Sequence, residues 1–239
     1  MPKIKLTNGV YQYKTIPIFE GVKRINKEVA FKNLCILKNE LDQYGVEFQI
    51  TFGTLLGAIR EKDFIEHDED IDILVLGEKK QQLFDLLPEL RKIGFEVARY
   101  DRRDLMSLIK DGEYIDFYFF SLKSDRTRYC SGIILPIEII DETIEYNFKG
   151  LKVNIPKEYV AFLRYEYGDN WMTPIQWFDY ESSRFSRLLI IIKTIAKEWL
   201  PDFIFFRMVK SSEKKMLNRY RPKLEKFRKE QAQSFNVMK

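Results

Sequence analysis

Residues 52–76 read FGTLLGAIREKDFIEHDEDIDILVL. The stretch divides into a glycine-containing turn, one short helix, a loop and a strand that carries two carboxylates on one face. Successive strand side chains point to opposite faces, so Asp70 and Asp72 lie on one side and Ile71, Ile73 and Val75 on the other. Crowding two carboxylates beside a buried strand costs repulsion, and a divalent cation removes it. One reading is therefore a magnesium site for phosphate chemistry. The other is a solvated acidic loop running into an ordinary strand.

Upstream, Val46, Phe48, Ile50 and Phe52 alternate with Glu47, Gln49 and Thr51, which predicts a strand over 46–52. It runs into Gly53, Thr54 and a helix start, where backbone N–H groups welcome an anion. Thr54 adds a hydroxyl, and Arg60 a guanidinium suited to phosphate. The plainer reading is an ordinary turn with Arg60 in solvent. Before this, residues 24–44 carry Val29, Ala30, Leu34, Leu37 and Leu41 at helical spacing, closed by Gly45. Residues 1–20 alternate loosely and predict a short strand or an extended arm.

Downstream, 78–93 reads as an amphipathic helix ended by Gly94, and 95–99 as a strand. Residues 105–109 and 114–122 read as strands joined by the hairpin pair Asp111-Gly112. Asp116 is the one charge between Tyr114 and Phe120, and a carboxylate so placed needs a partner. A metal shared with Asp70 and Asp72 supplies one. A salt bridge to Arg102 or Arg103 is the alternative. Short strands follow over 132–140, 143–148 and 151–155, with a turn at Lys149-Gly150. Pro156 is expected to open a helix, with Tyr159, Phe162, Leu163 and Tyr167 on its apolar face, ending at Gly168.

The 239 residues, 45% hydrophobic and 15% aromatic, suffice for a sizeable core. A net charge of +4 hides an asymmetry. From residue 184 onward there are 15 Lys+Arg against 5 Asp+Glu, leaving 25 against 31 in residues 1–183. An acidic body with a basic tail implies two surfaces with different partners. The expected division is a catalytic domain over 1–180 and a basic, partly apolar helical tail over 181–239. Leu188 to Ile192 is apolar all round, and Ile204-Phe205-Phe206 follows Pro201. Such a segment suits either an anionic membrane interface, through 184–229, or packing on the domain. Nucleic acid is a minor alternative for the basic tail.

Cys35 and Cys130 match no disulfide framework or zinc spacing, and Cys35 reads as a core residue. Without an apolar N-terminal run or a long uncharged stretch, a cytoplasmic protein is expected, free or at the inner face of a membrane. His67 is the only histidine, so histidine-dependent catalysis has little room.

GTLLGAIR at 53–60 followed by HDEDIDI at 67–73 resembles the signature of the LicD family of phosphocholine transferases and fukutin-type sugar phosphotransferases. YIDFYFF at 114–120 resembles the strand bearing that family's third acid. IPKEYVAFLRYEYGDNWMTP at 155–174 resembles its C-terminal segment. The resemblance spans roughly residues 26–176 and implies an α+β nucleotidyltransferase-like mixed sheet flanked by helices. Carried over, Asp70 and Asp72 become Mg²⁺ (or Mn²⁺) ligands and Asp116 the third acid and candidate base. Gly53, Thr54 and Arg60 become donor-phosphate contacts, and Asp68 a further acidic position of unfixed role. Glu66 and His67 replace the proline and aromatic residue common in the family, which bears on the donor pocket.

The implied reaction moves a phospho-alcohol group from a CDP-linked donor to a hydroxyl of a glycan or lipid-linked glycan. CMP leaves. The setting is surface polysaccharide or lipopolysaccharide synthesis. Two alternatives are NMP transfer from an NTP to a small molecule or RNA, and a non-catalytic membrane-associated scaffold.

Overall fold

The computed structural model describes residues 1–16, 24–123, 126–174 and 200–237. A mixed sheet of nine strands organises them. Its elements are β3 (Gln49–Ile50), β4 (Asp70–Leu76), β5 (Glu96–Asp101), β6 (Leu105–Lys110), β7 (Glu113–Lys123), β8 (Thr127–Cys130), β9 (Ile133–Pro136), β10 (Thr143–Phe148) and β11 (Leu151–Pro156). The spatial order is β10-β11-β3-β4-β7-β6-β5, with β8 and β9 added from the far end of β7. β4 lies antiparallel to β3 and parallel to β7. A separate N-terminal hairpin joins β1 (Lys3–Leu6) and β2 (Gly9–Gln12).

The helices are α1 (Lys27–Gln43), α2 (Phe52–Arg60), α3 (Lys80–Asp85), α4 (Leu87–Lys92), α5 (Tyr159–Tyr167) and α6 (Asp202–Val237). The Asn26 side chain caps α1 by accepting the Val29 N–H at 3.2 Å. Its stripe of Ala30, Leu34, Leu37 and Leu41 is fully buried, as the helical spacing requires. Ile71, Ile73 and Val75 are buried on one face of β4. On that same face of β7, Phe119 meets Phe84 of α3 edge-on at 5.4 Å. On the other face, Phe52 at the start of α2 packs against Tyr118, and against Phe162 of α5.

Both hairpin turns form where the dipeptides placed them. Asp111 and Gly112 have φ of 51° and 81°, and Lys149 and Gly150 have 53° and 91°, the left-handed pair that such turns demand. Elsewhere the structure departs from the sequence pattern. The strand expected over 46–52 shrinks to Gln49–Ile50, because the chain turns into α2 at Phe52. The helix expected over 78–93 splits in two: Pro88, at the start of α4, cannot donate to the preceding turn. Pro156 ends β11 rather than opening a helix, and α5 begins at Tyr159. β8 has no counterpart in the sequence reading. Cys35 is only half-buried, and both cysteines are free.

The basic tail is helical where it is described. Phe205, Leu224 and Phe227 turn inward from α6. Arg102 lies 4.0 Å over the Phe205 ring and pairs with Asp202 at 2.5 Å. At the other end Phe227 meets Tyr165 of α5 edge-on at 5.9 Å. The division expected at 180/181 and the Leu188 to Ile192 run lie outside the described residues. No described helix is long and apolar enough to cross a membrane.

Gly57 sits where α2 passes the following loop: a Cβ there would stand 2.5 Å from the Asp63 carbonyl oxygen and 3.0 Å from the Ile65 nitrogen. Backbone on that side leaves no flexible group to yield. Gly57→Ala is therefore expected to destabilise the fold by about 1–3 kcal/mol, read as a lower midpoint in urea unfolding. An unchanged midpoint would mean that the loop relaxes freely.

Candidate active site

β4 and β7 are in register with Asp72 opposite Asp116. Paired residues on neighbouring strands share a face, so Asp70, Asp72 and Asp116 stand together on one side of the sheet. Asp72 and Asp116 are buried, at 7% and 3% exposure. Asp70 is half-buried.

Thr54 and Gly53 fix Asp72 from the opposite side. As β3 gives way to α2, the Thr51 N–H still donates to the Asp72 carbonyl at 3.1 Å. Thr54 Oγ1 accepts the Asp72 N–H at 2.8 Å. The Gly53 N–H, a donor of the first turn of the helix, points at Asp72 Oδ2 at 2.9 Å. Thr54, expected to meet a donor phosphate, is fully buried and holds the acid-bearing strand. Phe52 takes a left-handed φ of 41°, strained for a bulky residue, and its ring contacts with Tyr118, Phe120 and Phe162 maintain it.

Asp68 reaches the same point from the loop after α2. A Cβ on Gly53 would stand 2.7 Å from Asp68 Oδ2 and 3.2 Å from Asp72 Oδ2. The missing side chain is what lets both carboxylates close on the helix end. The loop is tied down by the Ile25 N–H on the Asp68 carbonyl, by Lys27 to Asp63 and Glu66, and by Lys149 to Asp63. Glu66 thereby finds a role as an ion-pair partner, while His67 is exposed.

The electrostatics follow from this crowding. Burial, then the charge of Asp72, Asp116 and Asp68, pushes the Asp70 carboxyl well above its ordinary range. Burial, then Asp68 and Asp116, does the same to Asp72, against the bonds from Tyr118 and Gly53. Asp68 rises to about 6, chiefly by burial.

Four residues of the site escaped the sequence reading. Asp116 accepts a bond from Ser107 and one from Arg99 at 2.9 Å. Its cation is therefore Arg99, since Arg102 holds Asp202 and Arg103 holds Asp101. Tyr118 shares the face of Asp72, and burial with the carboxylates around it keeps the phenol protonated. Tyr167, at the end of α5, is 41% exposed, yet burial and the charges of Asp72, Glu166 and Asp68 raise its pKa. Arg60 lies at the far end of α2, bonded to Glu61 and, at 3.4 Å, to the Trp171 carbonyl.

Among the described residues no three His, Cys, Asp or Glu side chains stand as a finished ion-binding set. The donor chemistry nevertheless fits a hard divalent cation. The groups are all carboxylates, they hold one another toward protonation, and buried Asp68 Oδ2 has no hydrogen-bond partner among the described residues.

A model of the LicD/FKTN/FKRP nucleotidyltransferase domain matches residues 45–158. An uncharacterised protein of Rickettsia typhi is 24% identical over 142 residues, 58% of this chain and 45% of that protein. Human ribitol-5-phosphate transferase FKTN is 23% identical over 171 residues, 65% of this chain and 37% of that protein. The chain thus spans less than half the length of the curated relatives it matches. A crystal structure of the lincosamide adenylyltransferase LnuA with lincomycin bound aligns at a TM-score of 0.41 and 18% identity, over 69% of this chain and 96% of that one. Asp68, Asp70, Asp72, Asp116 and the Gly53 turn all fall inside the matched domain, whereas α5 and α6 lie beyond it. Residues 45–158, which hold the acid cluster and the Gly53 turn, thus match the LicD/FKTN/FKRP nucleotidyltransferase domain.

Proposed function

We propose that the chain transfers a phospho-alcohol group, phosphocholine or an alditol phosphate, from a CDP-activated donor to a hydroxyl of a glycan or lipid-linked glycan. The product belongs to cell-surface polysaccharide or lipopolysaccharide synthesis. The reading rests on one observation: acidic residues of two parallel strands gathered against the N-terminus of α2, inside the matched domain. The activity by which the FKTN relatives are named, ribitol-5-phosphate transfer, supports the substrate class.

In this reaction the acceptor oxygen bonds to the transferred phosphorus. The phosphoanhydride P–O bond breaks, and CMP leaves with the electron pair. Asp70 and Asp72, with Asp68 beside them, would hold Mg²⁺ or Mn²⁺. When bound, the ion neutralises phosphate charge and polarises the P–O bond. Asp116 is the acid suited to take the acceptor's proton, because each oxygen keeps a lone pair beyond those that meet Arg99 and Ser107. Arg99 and Ser107 orient that carboxylate. Thr54 and the Gly53 N–H orient Asp72. Gly53 leaves room for the Asp68 and Asp72 carboxylates at the helix start, and Arg60, at the other end of α2, is paired with Glu61.

The exposed side of α6 offers a membrane contact. Phe203, Phe206 and Met208 are exposed beside Arg207, Lys210, Lys214 and Lys215. Such a surface suits an anionic lipid interface near a lipid-linked acceptor.

Three outcomes are expected. CMP release from CDP-choline, CDP-ribitol or CDP-glycerol falls about 100-fold or more in Asp72→Asn and in Asp116→Asn, and by a smaller factor, about 10-fold, in Arg99→Met. Full activity in Asp72→Asn would sink the assignment.

The second outcome concerns pH. A carboxyl whose folded pKa is raised binds protons that the unfolded chain does not, so its contribution to stability grows as pH falls toward the unfolded value. Without divalent cation, the melting temperature should therefore rise from pH 7 to pH 5 as Asp68 titrates near 6. Asp68→Asn should blunt the rise, and Mg²⁺ should raise the pH 7 value.

Third, the full chain should float with phosphatidylglycerol vesicles and not with phosphatidylcholine alone, and Phe203→Asp with Phe206→Asp should abolish flotation.

A further inference from the structure

Between α5 and α6 lies a cavity of about 450 Å³ that the reaction described above does not use. Its size falls within the range of small-molecule sites. One wall is the last turn of α5 with Gly168 and Asp169; the other is the stretch Lys223–Glu230 of α6. Two features of its lining say what would fit.

The first is charge. Lys223 pairs with Glu166 at 3.5 Å, Arg164 with Asp169 at 3.3 Å, and Lys226 with Glu230 at 3.7 Å and Asp169 at 3.9 Å. Each cation is balanced by a carboxylate, so the cavity has no surplus charge with which to hold a phosphate or an ammonium group. It is nevertheless rich in hydrogen-bonding groups. Glu166 is the most sheltered of them, with its side chain 15% exposed. Its Oε1 sits at ion-pair distance from Lys223 but lacks a hydrogen bond of good geometry. An acceptor atom so placed calls for a hydroxyl donor.

The second feature is Tyr167. It lines the cavity and is partly exposed. It ends the helix whose Phe162 packs 5.6 Å from Phe52, the residue before Gly53, so α5 runs from the cavity to the helix start that holds the acid cluster. Aromatic faces with balanced, bifunctional polar groups are what a polyhydroxylated ligand needs. Apolar C–H faces of a sugar stack on the ring, and its hydroxyls donate to carboxylates and accept from cations.

We infer that the cavity between α5 and α6 is an acceptor subsite that takes a neutral carbohydrate and presents its hydroxyl past Tyr167 to the acid cluster. The inference rests on the proposed transfer reaction for its role, though the binding itself does not. α6, which lies beyond the matched domain, then supplies acceptor selectivity.

Amide-resolved NMR of the full chain, titrated with glucose, galactose, N-acetylglucosamine and, as the charged control, glucuronic acid, tests the binding without any turnover. At least one neutral sugar should shift amides at 161–169 and 223–230, should do so in Asp72→Asn and in the presence of EDTA, and should bind more tightly than glucuronic acid. Shifts confined to residues 53–72, preference for the acid, or no shift with any of the sugars would overturn the inference.

Two variants then separate role from binding. Ala161→Phe fills the cavity, and Lys226→Trp, at a solvent-exposed position, covers its mouth without burdening the fold. Either should raise the acceptor KM at least tenfold and leave acceptor-independent CMP release unchanged. An unchanged acceptor KM in folded Lys226→Trp would refute the acceptor role. Absence of CMP release from every donor in the unmodified chain would instead refute the transfer reaction and leave the sugar titration to decide the subsite.

Discussion

The bond from the Gly53 N–H to Asp72 Oδ2 is the hinge of the site. It turns a donor of the first turn of α2 toward a buried carboxylate, and so offsets part of the cost of keeping an acid beside Asp68 and Asp116. It works only because residue 53 has no side chain, for any Cβ would enter the space of the Asp68 carboxylate. Thr54 completes the arrangement by taking the Asp72 N–H that β3, now ended, cannot pair. Strand end, helix start and acid cluster are thus one construction. The positive φ of Phe52 is the strain it carries, held by three aromatic contacts.

Much of this was legible in residue spacing. The alternation in DIDILVL placed both acids on one face, and the hairpin dipeptide at 111–112 formed where it was expected. That turn also carried information left unread. A two-residue loop at 111–112 pairs residues whose numbers are equidistant from it, which puts Ser107 opposite Asp116. Likewise Tyr118, two residues past Asp116, had to share its face. Arg99 could not be found in this way, because the register of β5 on β6 slips between Val97 and Arg99. Tyr167 could not either, since its place depends on how α5 packs against the sheet.

The misread boundaries have physical causes. Local alternation through 46–52 said strand, but the demand for a helix end beside Asp72 ended it two residues early. Proline at 156 is compatible with a helix start and equally with the last residue of a strand. Here pairing of Thr143 with Pro156 in the edge hairpin decided between them. Basic and apolar residues of α6 carried no such ambiguity about helix, only about what its faces meet. The inward face meets the domain through Phe205, Leu224 and Phe227.

The length of α6 has a consequence of its own. Thirty-six residues at 1.5 Å each make a rod of about 54 Å. Near one end Arg102, just past β5, grips Asp202, the Leu200 carbonyl and the Phe205 ring. Further along, Lys223 and Phe227 clasp α5. The rod therefore braces the strand edge that supplies Arg99 against the helix that supplies Tyr167. Two parts of the chain some 65 residues apart in sequence are thereby bound into one cooperative unit, so loosening either end releases the support of both.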